Sequence, residues 1–218
     1  MRKITLKSLA LICCLFTFFP SFAQEDWRLR KSAEGIEVYT KKIDGSALEA
    51  FRGITHISAS ISSLTAVLYD VGTFPEWMFM TPTSELISRE NKSIQIHYTI
   101  TDSPWPVADR DAVIRYQYKY DESNGSLLVL IDALPDLMPE KEGLVRVKIS
   151  QGIWRFTPEN HGLVKVEYEL HADPNGNIPA WLVNSAAVDT PFKTLKALKA
   201  QVKKDRYQSR SFSFMKEK

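Results

Sequence analysis

The chain has 218 residues, 44% of them hydrophobic, with 28 Lys and Arg against 26 Asp and Glu, and two cysteines. That length supports one domain with a large core, and the near balance of charge gives no basic footprint for a nucleic acid. Three of the bases and both cysteines fall within the first 23 residues, so a chain without them carries 25 bases against 26 acids and has neither disulfide nor thiol nucleophile.

Residues 1–23 read as a secretory signal. Arg2, Lys3 and Lys7 precede the apolar run SLALICCLFTFF, and Ser21-Phe22-Ala23 forms a small-x-small cleavage site before Gln24. The run is too short to span a bilayer comfortably. Export to the periplasm or the extracellular space is therefore expected. A lead containing Trp27 is followed by IEVYTKKI (36–43) and LEAFRGITHISA (48–59), two strand-like runs joined at Asp44-Gly45. Ser60 caps a helix whose Ile61, Leu64, Leu68 and Val71 recur at helical spacing, and Thr73-Phe74-Pro75-Glu76 opens a second short helix carrying Trp77.

From residue 84 the pattern switches to period two. Strands are predicted at 85–90, 93–101, 112–120, 126–134, 144–158 and 163–172, with Gly152 as a bulge, and their order suggests an antiparallel meander. The stiff corner Pro104-Trp105-Pro106 precedes the third of these, and Asp109 and Asp111 flank Arg110 as compensating charges. A helix of about 27 residues starts near Pro179. Trp181, Val188, Phe192, Leu195, Leu198 and Val202 line one side of it, while Ser185, Ala186 and Ala187 leave its middle thin enough for a void. Residues 206–218 read as a basic, solvated tail.

Catalytic signals are sparse. The sequence has no nucleophile elbow, phosphate loop or dinucleotide fingerprint, and His56, His97, His161 and His171 are scattered. No catalytic residue, metal or cofactor is expected. The aromatics are more informative: Tyr98, Tyr116, Tyr118, Trp154 and Phe156 alternate along strands, so together with Ile114 and the helical Trp181, Val188 and Phe192 they form an expected ligand lining.

The order of elements suggests an α+β helix-grip fold, a curved antiparallel sheet around a long C-terminal helix. Four stretches add a resemblance. Asp70 with Pro75-Glu76-Trp77 resembles the D…EW signature of START (steroidogenic acute regulatory protein-related lipid-transfer) domains; PWPVADRDAV is similar to their proline-containing strand entry, MPEKEGLVRVK to a loop-to-strand segment, and DPNGNIPAWLVN to the start of their final helix. The resemblance covers about residues 27–205, placing the domain at 24–205, and its last two motifs look closest to phosphatidylcholine-transfer members.

It implies an internal cavity holding one lipid, transient contact with a membrane surface, and a monomer. It also implies structural roles for Trp77, Pro104, Pro106, Arg110 and Asp111. Sterol-binding members resemble one another in a buried acid and arginine; His97 and Tyr116 stand at those positions here, which leaves a phospholipid or another apolar molecule open. In the family the 133–143 loop lies near the final helix, so Leu134, Leu137, Met138 and Leu182 are expected to form a gate. An enzyme on the same scaffold, of cyclase or lipid hydrolase type with His97 as its acid or base, and a ligand-free interaction module are the alternatives.

Overall fold

The structure, a computed structural model, describes residues 26–46, 48–176 and 178–215. The signal segment, its cleavage site and both cysteines lie outside those residues. Within them the alternating segments form ten strands: β1 Arg28–Ala33, β2 Ile36–Lys42, β3 Glu49–Ser58, β4 Thr83–Asn91, β5 Ile94–Thr101, β6 Arg110–Asp121, β7 Ser126–Ala133, β8 Val145–Arg146, β9 Ile149–Pro158 and β10 Leu163–Asp173. The α-helices are α1 Ile61–Tyr69 and α2 Ala180–Gln201, and 3-10 helices span Val71–Glu76, Asn160–Gly162 and Asp205–Tyr207. One sheet runs in the order β1-β2-β3-β10-β9-β7-β6-β5-β4, every pairing on this path being antiparallel.

The helix-grip architecture is therefore present, with local departures from the expected elements. Trp27 leads into a strand, β1, turned back by Glu34 and Gly35 at positive φ. The expected strand 144–158 is divided, because the two residues of β8 pair in parallel with the start of β6. Gly152 is no bulge: it pairs in register with Leu170 and Ile131, and a Cβ there would lie 2.1 Å from the Glu169 carbonyl oxygen. Close approach of two backbones is what demands glycine. The final helix has 22 residues, not about 27.

Two layers of helix share one face of the sheet. Ser60 caps α1 as expected, its hydroxyl oxygen accepting from Ser63 N at 2.9 Å, and α1 with Phe74 and Trp77 fills one half of the core. The second half of α2 fills the next part with buried Phe192, Leu195 and Leu198 against β2 and β3. Gly53 on β3 makes that docking possible, since a Cβ would stand 2.7 Å from Leu195 Cδ1 and 2.9 Å from Pro191 Cβ.

The C-terminal segment is not a solvated tail up to residue 215. Tyr207 and Met215 are buried and Phe212 and Phe214 pack against the core. The signature between the first helices ties down its beginning: Glu76 accepts from Lys204 Nζ at 2.7 Å, from Gln201 Nε2 at 3.2 Å, and from Arg206, while Asp70 accepts from the Tyr207 hydroxyl at 3.2 Å. Lys204 foremost, then Arg206 and Gln201, hold the Glu76 carboxyl down from 4.5 to about 2. A depressed carboxyl stabilises the fold above its ordinary value and loses that contribution as pH falls through the lowered one. Glu76→Gln is expected to lower the melting temperature slightly at neutral pH, because the carboxylate is 39% exposed and such pairs contribute at most about 1 kcal/mol. Thermal melts across pH should show variant and parent converging near pH 2.

Candidate functional site

The first half of α2 is built differently from the second. Where Phe192, Leu195 and Leu198 are bulky, Ser185, Ala186 and Ala187 are small, and a cavity of about 420 Å³ opens between them and the sheet. Its floor carries His97 and Thr99 of β5, Ala112, Ile114 and Tyr116 of β6, Ile131 of β7, and Tyr168 and Leu170 of β10; Phe51, Met78 and Phe79 close its sides. The volume falls within the roughly 300–1,000 Å³ of small-molecule sites.

Strand register decides which expected lining residues reach it. His97 pairs with Ile114 and Tyr98 with Val113, so Tyr98 points to the opposite face of the sheet, into a separate cluster with Ile96 and Val113. Within one strand alternation is legible, but the phase between strands is set by pairing. Ile114 and Tyr116 line the cavity. Tyr118 has the correct face yet sits under α1, its hydroxyl 3.1 Å from the Leu68 carbonyl oxygen and 3.0 Å from Gln95 Oε1. Trp154 and Phe156 are fully buried core, Trp154 stacked on Tyr168 at 3.9 Å. Phe192 lies under the Lys31 ammonium at 3.7 Å and Val188 packs against the core. Trp181 is 72% exposed. Tyr168, Leu170, Phe51 and Met78 were missed; the apolar alternation of β10 signalled the first two.

The mouth lies between the 101–107 segment and the start of α2, where Pro104, Val107, Ile178 and Leu182 meet. The proline corner is held by Asp109, whose Oδ1 accepts from Ser103 N at 2.8 Å, and it presents Trp105 at 93% exposure. Arg110 is committed to backbone carbonyls, donating to Pro174 O at 3.3 Å, Asn175 O at 3.1 Å and Ala108 O.

Asp111 does not compensate Arg110. It takes Arg146 in a fully buried bidentate pair, Nε–Oδ1 3.0 Å and Nη2–Oδ2 2.8 Å. The same guanidinium donates to Pro135 O at 2.6 Å, Met138 O at 2.9 Å and Pro139 O at 3.1 Å. The 134–139 loop is thereby fastened over the Tyr98 cluster, where Leu134 and Met138 pack while Leu137 is 52% exposed. Leu134, Leu137 and Met138 thus sit away from the cavity mouth, and of the expected gate only Leu182 borders it.

The interior wall is uncharged at ordinary pH. Burial pushes the Tyr116 and Tyr168 hydroxyls well above 10 and the His97 imidazole down to about 3. Three carboxylates border the cavity, Glu49, Asp102 and Asp189; Glu49 pairs with Arg30 at 2.9 Å and Asp189 with Lys193 at 3.1 Å. Among the described residues no group of three His, Cys, Asp or Glu is placed to hold a metal ion.

The START domain family profile matches residues 21–207. An uncharacterised protein of Pseudomonas aeruginosa is 33% identical over 204 residues, 94% of this chain and 100% of that protein. The phosphatidylcholine transfer protein of Rattus norvegicus is 26% identical over 173 residues, covering 77% of this chain and 79% of that one. The crystal structure of a STAR-related lipid transfer protein from Xanthomonas axonopodis superposes with a TM-score of 0.77 at 39% identity, covering 82% of this chain and 99% of the other.

Breaking a buried ion pair leaves one charge stranded, at a cost of about 3–5 kcal/mol. Arg146→Met is expected to destabilise the protein by that amount in denaturant melts and to expose the 134–139 loop to limited proteolysis. Arg115→Met, which removes a half-exposed pair with Asp132 at 3.3 Å, should change stability by less than about 1 kcal/mol.

Proposed function

This chain belongs to the START domain family, and from that premise we propose that it binds a single lipid in the cavity beneath α2 and carries it between membranes. The observation that supports this most is the roof: a helix long enough to seal the sheet has small residues over the cavity and bulky ones elsewhere. An apolar, uncharged interior is what an acyl chain or ring system needs, because each buried CH₂ contributes about 0.8 kcal/mol and a sixteen-carbon chain roughly 12 kcal/mol. At about 30 Å³ per water-sized group, the cavity holds on the order of fourteen such groups. A single chain or compact polycycle fits that space, and a two-chain phospholipid requires the roof to lift.

Between Trp181 and Thr190 only Ala187 is buried, so this half of α2 is the part of the roof with least to lose by moving. Trp105 and Trp181 are exposed and next in sequence to the lining residues Pro104 and Leu182, and tryptophan favours the membrane interface. Together they support docking of the mouth on a bilayer. The leading segment supports export to the periplasm or the extracellular space.

Native mass spectrometry after incubation with vesicles of phosphatidylethanolamine and phosphatidylglycerol is expected to find one lipid per chain. Ala186→Trp, which fills the cavity, should remove that lipid while leaving the fold intact by circular dichroism; lipid retained by this variant would refute the assignment. Trp105→Ala with Trp181→Ala is expected to slow lipid extraction from the vesicles by about tenfold or more with the melting temperature nearly unchanged, since both rings are exposed.

A further inference from the structure

A second cavity lies toward the other end of β5 and shares no lining residue with the first. Its volume is about 590 Å³, and its walls are the end of α1 with Tyr69 and Asp70, Arg89 of β4, Lys92 in the turn that follows, and residues 209–214. From Ile94, just past that turn, β5 runs to Thr101 at the mouth of the first cavity, about 23 Å at 3.3 Å per residue.

Tyr69 is the fixed wall of this second site. Its backbone carbonyl accepts from Gln95 Nε2 at 3.1 Å and its hydroxyl donates to Lys92 O at 3.2 Å, so the residue is pinned at both ends. Phe212 packs against the ring at 5.1 Å, and the Arg89 guanidinium stands 5.1 Å from the ring centre. A cation placed by a ring keeps all its N–H donors for another partner.

The fold does not use these bases elsewhere. Among the described residues Arg89, Lys92 and Arg210 have no carboxylate within ion-pair distance. The carbonyls that end α1 attract cations in general, yet here neutral donors occupy them: Asp70 N on Ala66 O, the Tyr118 hydroxyl on Leu68 O, Gln95 on Tyr69 O, and Thr73 on Asp70 O. The Asp70 carboxylate, the single acid of the lining, accepts from the Tyr207 hydroxyl. Three cations against one carboxylate leave an excess of two positive charges around the cavity. Ser209, Ser211 and Ser213 border it too and add hydroxyl donors.

We propose that this cavity is a binding site for a phosphate monoester, separate from the lipid chamber beneath α2. Such a group carries about 1.5 to 2 negative charges at pH 7 and three acceptor oxygens, which matches the excess charge and the donors. The arginines supply planar forks suited to two oxygens at once, and Lys92 a point charge. At about 30 Å³ per water-sized group the space takes on the order of twenty, enough for the phosphate and a small organic body. A soluble ester and the headgroup of phosphatidic acid on a membrane present the same chemistry.

The test is calorimetric titration of glycerol 3-phosphate, with glycerol as the uncharged control, into the whole protein at low salt. The parent is expected to bind one equivalent of the ester and no glycerol. Arg89→Gln with Arg210→Gln should weaken binding about tenfold or more, with the melting temperature nearly unchanged because both side chains are exposed. Should that double variant melt early, Arg210→Gln alone carries the same direction of change. Lys41→Gln with Lys42→Gln, outside the lining, should bind as the parent does, and so should Ala186→Trp, which keeps the outcome independent of the lipid chamber. Cosedimentation with phosphatidylcholine vesicles, with and without about a tenth of phosphatidic acid, separates the sources. Binding that requires phosphatidic acid and is lost in the double arginine variant assigns the headgroup; binding of the soluble ester alone assigns the free phosphate, and either supports the site. Absence of both, or equal binding by the parent and the double arginine variant, would overturn it.

Discussion

A helix that is bulky in one half and small in the other can seal only part of the sheet it crosses. That asymmetry of α2 is the constraint from which the rest of the molecule follows. Leu195 and Leu198 are driven into the core, and Leu195 reaches it because Gly53 on the facing strand has no side chain. Their burial anchors the helix, so Ser185, Ala186 and Ala187 are held over the sheet without filling the space below. The void persists because close packing elsewhere prevents collapse.

Tyr116, which lines the void, is backed by the connected rings of Phe74, Trp77 and Trp154, which are positioned by the Val71–Glu76 3-10 helix and the adjoining strands. That helix is tied in turn to the C-terminal segment through Asp70 and Glu76. On the opposite face the Asp111–Arg146 pair fastens a loop over the Tyr98 cluster and joins β8 to β6. The sheet is thus braced from behind and by its end, and the first half of α2 with the proline corner is left as the least secured boundary of the cavity.

Much of this was legible in the sequence. Period-two alternation located the strands, Ser60 marked the start of α1, and the run of small residues at 185–187 foretold the void. What failed was information that only tertiary pairing supplies. Alternation within β5 and within β6 is plain, yet whether residue 97 or 98 shares a face with residue 116 depends on the His97–Ile114 register, and so Tyr98 was assigned to the wrong side. The C-terminal segment reads as solvated when Lys204 and Arg206 are counted without their partner, Glu76, more than a hundred residues earlier. Tyr207, Phe212, Phe214 and Met215 were the overlooked apolar signal in that stretch. The two-residue β8 was too short to leave any periodic trace, and the arginine that locks the 134–139 loop could be recognised only once its carbonyl partners were in space.

Hydrogen exchange of the backbone amides, before and after loading from lipid vesicles, tests the central claim most directly, namely that the first half of α2 roofs a ligand chamber. Loading should slow exchange in residues 182–190 and in the 101–107 segment, and leave residues 192–200, already packed against β2 and β3, unchanged. Uniform protection along the whole of α2, or protection confined to the 134–139 loop, would contradict the account.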